Sequence, residues 1–333
     1  MPEFTAHYLF GEQVLERFSP EVYAVINENE SSSDAFKWGL QGPDLLFYTK
    51  ILRDRGWLAR AGSAIHHTDP NTVISTLISC ILSTKDMVAY KTLCSYLFGF
   101  VCHYALDSKT HPYVYHLAAK ADGSAITSRH IHIESEIGSI LYTRLTGMPV
   151  SNFKVHAHYT SAGNFVEPIC LLYADLIYHL FGKRIPNKQI RSSFFYCLFL
   201  NRFTYLYARN DLNNMLQSVL LKGSRAILKH FKFVSSFFKC DDVERDTLNL
   251  MHNPWYNLNT PGSVVTDSIP DLFESAIIEA VILTQTCFEM LENGAVTPLG
   301  LTESFVCGEP DKAREVSNRK MKKEQRKTAG SIL

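Results

Sequence analysis

Apolar residues recur at intervals of three and four along most of this chain, the spacing of one face of an α-helix. The segment from Phe165 to Phe181 shows this period and stops at Gly182, a common C-terminal cap. The segment from Ser268 to Asn293 starts with a serine and Pro270 and stops before Gly294, so both helix-end signals are present. Alternating strand patterns are missing. The pattern predicts an all-α fold, a single bundle of about nine or ten helices without an internal repeat.

One stretch departs from ordinary amphipathic spacing. Residues 97–107 are apolar nearly all the way round, which is typical of a buried helix. His103 and Asp107 stand four residues apart in it and would share one helix face. A buried carboxylate is costly unless it is paired, hydrogen-bonded or bound to a metal, so a plain His–Asp hydrogen bond and a metal site both remain open. His111 precedes Pro112 and should resist the α conformation, which predicts that the helix frays or ends there and that His111 points at a site.

A second histidine–carboxylate spacing occurs in two registers, His130 with Glu134 and His132 with Glu136. The stripe of His130 and Glu134 also carries the apolar residues Ile133, Ile137, Ile140 and Leu141. The stripe of His132 and Glu136 is polar and carries Ser135, Ser139 and Thr143. Periodicity therefore predicts that His130 and Glu134 face the interior and that the other pair is hydrated at the surface.

Composition fits a protein with a large core and mostly one domain, with 46% hydrophobic and 12% aromatic residues among 333. The net charge is zero, so no nucleic acid is expected as the main partner. Eight cysteines are scattered singly without zinc-finger spacing, which is typical of a reduced, intracellular setting. The N-terminus lacks the features of a secretory signal, and no apolar run reaches the roughly 18 residues of a membrane span. These features predict a cytoplasmic protein.

The last part of the chain has a different composition. Residues 1–307 are predicted to form the all-α domain, whereas residues 308–333 carry more lysine and arginine than acidic residues. Such a run is typical of a solvated, flexible tail. Contact with anionic lipid, as at a membrane surface, or with nucleic acid is the weaker alternative.

Five short motifs follow one another in the first half of the chain. They are Thr5-Ala6-His7-Tyr8-Leu9-Phe10-Gly11, Gln41-Gly42-Pro43-Asp44-Leu45-Leu46, His66-His67-Thr68-Asp69-Pro70, His103-Tyr104-Ala105-Leu106-Asp107-Ser108-Lys109-Thr110-His111-Pro112 and His130-Ile131-His132-Ile133-Glu134. In this order they resemble the zinc-dependent phospholipase C family, which is all-helical and related in fold to single-strand-specific zinc nucleases. A later segment at Trp255, followed by residues 268–276, is similar to family members as well.

The resemblance implies a cluster of two or three zinc ions. Its implied ligands are Asp44, His66, His103 and a bridging Asp107 for one zinc, His111, His130 and Glu134 for a second, and His7 with the shared Asp107 for a third. His67 remains an alternative to His66. The chain departs from the family at two points. Six residues precede His7, so its amino terminus would not bind the third zinc, and Tyr113 stands where the family has its helix-end histidine, so His111 would substitute for it.

Several of these residues have ordinary interpretations when taken alone. Asp44 fits the first turn of a helix begun by Pro43, where a carboxylate is favourable. His7 fits a surface histidine, and His66 fits a loop residue before a helix begun at Pro70. A nearby pair, His156 and His158, is given no role.

The activity implied by the resemblance is cleavage of a phospholipid to diacylglycerol and a phosphorylated head group by zinc-bound hydroxide. Asp44 would orient or deprotonate the attacking water. An intracellular phospholipid or a smaller phosphoester is the expected substrate. A nuclease or phosphomonoesterase on the same zinc site, and a non-catalytic protein with structural zinc, are the alternatives.

Overall fold

The computed structural model describes residues 4–48, 57–119, 126–206, 246–257, 259–260 and 263–306. Within these ranges the chain forms eleven α-helices: α1 (Phe4–Leu15), α2 (Pro20–Ile26), α3 (Glu30–Gln41), α4 (Trp57–His66), α5 (Pro70–Leu82), α6 (Met87–Ala119), α7 (Ile126–Thr146), α8 (Val155–His158), α9 (Val166–Phe181), α10 (Asn187–Leu206) and α11 (Ile269–Asn293). Two 3-10 helices, η1 (Gly42–Phe47) and η2 (Val150–Asn152), and two antiparallel strands, β1 (Trp255–Tyr256) and β2 (Val264–Val265), complete the described elements.

The all-α prediction is confirmed, with slightly more described helices than the nine or ten expected. The two helices with the clearest sequence signals have their predicted ends. Helix α9 stops at Gly182 in the left-handed conformation, with φ of 64°. Helix α11 begins with a capping box between Ser268 and Asp271 and stops at Gly294, with φ of 62°. Local capping chemistry therefore fixes these boundaries.

Helix α6 runs through the centre of the bundle and packs against α3, α11, α7 and α1. Its contact with α3 is a direct backbone approach at Gly39 and Gly99. A Cβ atom added at Gly39 would lie 2.2 Å from the carbonyl oxygen of Tyr96, and one added at Gly99 would lie 2.1 Å from the carbonyl oxygen of Phe36. Only glycine fits at this crossing. The crossing sets the end of α3 and the start of η1 against the middle of α6.

The prediction that α6 frays or ends at His111 is wrong, because the helix continues to Ala119 with Pro112 inside it. A proline has no N–H and leaves the carbonyl four residues earlier without its helical donor. Here that carbonyl belongs to Ser108, and the side-chain amide of Asn259 donates to it at 3.4 Å. A residue distant in sequence thus supplies a donor that Pro112 lacks.

The prediction of a solvent-facing stripe on α7 is also wrong, apart from His132. Ser135, Glu136 and Ser139 are buried. The hydroxyl of Thr247 donates to Glu136 Oε2 at 3.0 Å, so a segment distant in sequence supplies a hydrogen-bond donor to this carboxylate. Helix α7 therefore buries residues of both stripes, whereas the periodicity of its apolar residues predicts one buried face and one exposed face.

The described cysteines, Cys80, Cys94, Cys102, Cys170, Cys197 and Cys287, are free and buried. Cys240, Cys307 and the predicted tail at residues 308–333 lie outside the described residues. None of the described helices combines the length and the apolar character that crossing a membrane requires.

Candidate metal centre

The eight predicted ligands come from five elements and meet inside the bundle. His7 lies on α1, Asp44 on η1, and His66 is the last residue of α4. The other five lie on α6 and α7: His103, Asp107, His111, His130 and Glu134. Each of the eight residues is at most 9% exposed. Since His103, Asp107 and His111 are spaced by four along α6, they lie on one face of that helix.

The first group forms around the carboxylates of Asp44 and Asp107. Ligand atoms of His7, Asp44, His103 and Asp107 all lie within 4.8 Å of one another. His103 Nε2 lies 3.2 Å from Asp107 Oδ2 and 3.7 Å from Asp44 Oδ2, and His7 Nε2 lies 3.3 Å from Asp107 Oδ1. His66 Nε2 approaches the same two carboxylates, at 3.3 Å from Asp44 and 3.8 Å from Asp107. Three histidines thus surround two buried carboxylates.

The second group consists of His111, His130 and Glu134, whose ligand atoms also lie within 4.8 Å of one another. Glu134 Oε1 is 2.9 Å from His130 Nε2 and 3.1 Å from His111 Nε2. The two groups adjoin through α6, since His111 Nδ1 is 3.7 Å from Asp107 Oδ2. Asp107 therefore lies between them.

A small cavity of about 30 Å³ touches both groups. Its polar lining comes from His7, Asp107 and Glu134, with Thr110 beside them. The apolar lining comes from α1, α6, α7 and α11 and consists of Ala6, Leu106, Val114, Ile137 and Phe273. A volume of this size holds one or two water molecules, since about 10–15 Å³ is needed for one.

Backbone carbonyls set the orientation of three of the histidines. His66 Nδ1 lies 2.8 Å from the carbonyl oxygen of Gly62, and His103 Nδ1 lies 3.1 Å from that of Leu40. His111 Nδ1 bonds the carbonyl oxygen of Phe305. Because a carbonyl only accepts, each Nδ1 must carry the proton. The neutral form of each ring therefore presents the lone pair of Nε2 to the carboxylates, the arrangement found in metal-ligating histidines.

Six buried polar atoms of these residues have no hydrogen-bond partner among the described residues. They are His7 Nδ1, Asp44 Oδ2, His103 Nε2, Asp107 Oδ2, His130 Nδ1 and Glu134 Oε2. Buried polar atoms are normally satisfied, so such a concentration in one place requires a cause. A cation between the lone pairs of Nε2 and the carboxylate oxygens satisfies several of them together. The residues present therefore fit a bound metal ion, and the two groups could each hold one.

The electrostatics of the second group reflect its buried charges. Burial lowers the pKa of His111, but the charge of Asp107 and the hydrogen bond to Glu134 outweigh it and raise the pKa to about 9. Burial raises the pKa of Glu134, yet His130 and His111 hold it well below its ordinary value. The pKa of Asp107 is likewise lowered, since His111 and His103 outweigh the effect of burial. Without a metal, these shifts keep Asp107 and Glu134 ionised and His111 protonated at neutral pH.

The structure also places the residues that the sequence left ambiguous. His66 faces the carboxylates, whereas the neighbouring His67 is half-buried and its Nδ1 lies 2.7 Å from the carbonyl oxygen of Ser63 on α4. His7 is buried and not a surface histidine. His7 lies in the first group, and the separate third zinc that it was expected to bind stays a prediction. His132 is half-exposed and pairs with Glu136 at 3.0 Å, outside both groups.

Two contacts carry no sequence signal, one of them within the site and the other on α7 outside both groups. The carbonyl oxygen of Phe305 is a backbone atom, and its approach to His111 depends on how residues far apart in sequence fold together. The pairing of Thr247 with Glu136 joins residues 111 positions apart. Neither has a spacing that a sequence pattern could reveal.

Comparisons with protein-family models, with curated proteins and with solved structures found no match to this chain. Its function is therefore argued from the chemistry of the site.

Proposed function

We propose that this protein is a zinc-dependent phosphoester hydrolase, acting as a phospholipase C on a phospholipid. The observation that carries the proposal is the meeting of eight imidazole and carboxylate side chains from five elements in two adjoining buried groups. Many of their polar atoms lack a hydrogen-bond partner among the described residues. Such groups are costly to bury without a cation, so a metal-free hydrophobic core is a poor explanation for their burial.

The donor set suits zinc, which is bound by imidazole nitrogen and carboxylate oxygen. His7, Asp44, His66, His103 and Asp107 would hold one or two ions. The second group, His111, His130 and Glu134, would hold another with three protein ligands, the number typical of an open catalytic site. Bound zinc would supply an activated water at neutral pH, because it lowers the pKa of its water ligand from about 15.7 to about 7.

The chain's own groups would orient the reactants. Asp107 lies between the two groups, so it would keep their ligands at a fixed separation. Asp44 Oδ2 has no hydrogen-bond partner among the described residues, and it is the oxygen we assign to holding the attacking water and accepting its proton. The carbonyl-bound Nδ1 atoms of His66 and His103 would keep these rings from turning away.

A phospholipid is the favoured substrate class for two reasons. The lining beside the ligands is polar toward Asp107 and Glu134 and apolar toward α11, which matches the chemistry of a phosphate attached to an apolar group, and the cavity would have to widen to admit one. The chain has no net charge, whereas nucleic-acid binding draws most of its affinity from an excess of lysine and arginine.

The deciding experiment combines the zinc content of the purified protein with hydrolysis assays on three substrates. We expect phosphatidylcholine vesicles and bis-p-nitrophenyl phosphate to be cleaved and single-stranded DNA to be left intact. Chelation should abolish both activities, and added zinc should restore them. Preferred cleavage of DNA would replace the phospholipase by a nuclease, and a zinc-free preparation would refute the metal site itself.

A non-catalytic protein with structural zinc is the second candidate, and the size of the cavity favours it. About 30 Å³ is roughly a tenth of the smallest usual ligand pocket, and all eight ligands are buried. Full zinc occupancy without hydrolysis of any of the three substrates would select this candidate.

A further inference from the structure

The segment of residues 299–306, here called the strap, follows α11 and crosses α6 beside the metal centre. No helix or strand forms within it, so its backbone depends on side chains from elsewhere. Asn71, in the first turn of α5, holds one end of the strap by two hydrogen bonds to Leu301. Its Nδ2 donates to the carbonyl of Leu301 at 2.7 Å, and its Oδ1 accepts from the Leu301 N–H at 2.9 Å.

The middle of the strap is held by α6. The hydroxyl of Tyr104 donates to the carbonyl of Glu303 at 2.8 Å, and Lys109 Nζ donates to the Glu303 carboxylate at 2.8 Å. Lys109 also pairs with Glu279 on α11 at 2.7 Å. Tyr104 and Lys109 flank the ligand Asp107 in sequence, so the strap is fixed to the same turns of α6 that carry the ligands.

The far end of the strap reaches both groups through Phe305, which is fully buried. Its ring lies edge-on to His66 at 5.6 Å between centroids and to Tyr104 at 5.0 Å. Its centroid lies 6.3 Å from that of His103. Its carbonyl oxygen accepts from His111 Nδ1. One residue thus packs on two histidines of the first group and bonds a histidine of the second.

We propose that the strap is a positioning element of the metal centre and that Phe305 is the positioning residue for His111. This inference rests on the proposed metal site. The Phe305 carbonyl keeps the proton of neutral His111 on Nδ1, which leaves Nε2 toward Glu134 to receive a metal. Asp107 Oδ2 is a second acceptor near Nδ1, at 3.7 Å. A ring released from Phe305 would turn toward Asp107 and withdraw Nε2 from the second group.

The test compares zinc binding by full-length variants that have been stripped of metal. Phe305→Ala removes the ring that seats the strap, and Asn71→Ala releases its other end at a half-buried site where loss of folding is less of a risk. Each should lower the zinc affinity of the second group by about 10–100-fold, the usual effect of losing an outer-shell partner. Phe305→Leu keeps both the backbone and an apolar side chain and should restore most of the affinity.

Two controls make the comparison specific. Phe194→Ala removes an equally buried ring that packs on Trp38 and Phe165, away from the ligands, and should leave zinc affinity unchanged. Nitrogen-15 spectra of the zinc-loaded protein should show a protonated Nδ1 on His111, and that signal should change in Phe305→Ala but not in Phe194→Ala.

Three results would overturn the proposal. Equal zinc affinity in Phe305→Ala, Asn71→Ala and the parent would show that the strap has no part in positioning. An equal loss in Phe194→Ala would assign the effect to general loosening of the core. A parent chain that binds no zinc would reject the proposed function as well, whereas either of the first two results would leave that function standing.

Discussion

At the scale of single residues, two adjacent histidines differ in what they face. His66 Nε2 lies 3.3 Å from Asp44 Oδ1, whereas His67 Nδ1 lies 2.7 Å from the carbonyl oxygen of Ser63. We predict that His66→Ala lowers zinc affinity by more than about 100-fold, exceeding the effect of an outer-shell change, because a donor to the metal is lost. His67→Ala is the matched control and should change affinity by less than about threefold. Zinc titration of the two metal-free variants checks this, and the reverse order would assign the ligand to His67.

The charges of the metal-free site predict how its stability depends on pH. The pKa of His111 is raised from 6.5 to about 9 by Asp107 and Glu134 against burial, so its contribution is complete below about 6.5 and is lost as the pH rises through about 9. The pKa values of Asp107 and Glu134 are lowered by the neighbouring histidines, so their contribution is complete above about 4.5 and is lost as the pH falls. The free energy of unfolding of the chelated protein should therefore be highest between about pH 4.5 and 6.5.

Urea unfolding of the chelated protein across this range would measure that profile. In His111→Gln the decline between pH 6.5 and 9 should be largely absent, because the group that loses its proton is gone. A decline of the same size in parent and variant would show that another group titrates there.

At the scale of elements, Asn259 compensates for a defect inside α6. Its amide donates to the Ser108 carbonyl, whose helical donor is missing at Pro112. Asn259→Ala should cost about 1 kcal/mol of stability, the usual cost of leaving a buried acceptor without its donor. In a Pro112→Ala background the restored N–H donates to Ser108, so the same substitution should cost almost nothing. Denaturant unfolding of the double-mutant cycle checks this, and equal costs in both backgrounds would contradict the compensation.

The ends of the helices show why some element boundaries could be predicted from the sequence and others could not. The ends of α9 and α11 follow from Gly182 and from the Ser268 capping box, which act within a few residues. The continuation of α6 through Pro112 depends on Asn259, which is distant in sequence. The burial of Glu136 depends in the same way on Thr247. Sequence rules therefore predicted the helix ends that depend on neighbouring residues. They failed where a residue distant in sequence determines the conformation or the burial.

At the scale of the whole molecule, the order of the motifs anticipated which residues meet but not how they are grouped. The histidine–carboxylate spacings on α6 and α7 predicted that His103 shares a helix face with Asp107 and His130 with Glu134, whereas their assignment as metal ligands rested on the resemblance. The inclusion of His7 rested on the same resemblance, and its place beside His103 follows from how α1 packs on α6. The spacing of residues on one helix is a local property, whereas the approach of two helices is not.

Because the proposed ligands come from α1, η1, α4, α6 and α7, they converge only in the folded chain, and a metal bound there would stabilise the native state alone. At free zinc 100-fold above the dissociation constant, each site adds about 2.7 kcal/mol. We therefore predict that chelation lowers Tm by about 4 °C for each ion removed. His103→Ala removes a buried ligand of the first group, so its Tm should respond less to chelator, while His67→Ala should respond as the parent does. Calorimetry with stepwise addition of zinc measures both effects, since Tm should keep rising with the logarithm of zinc concentration in parent and control. A chelator-insensitive parent, or an equal response in His103→Ala, would mean that these side chains meet in the core without holding a metal.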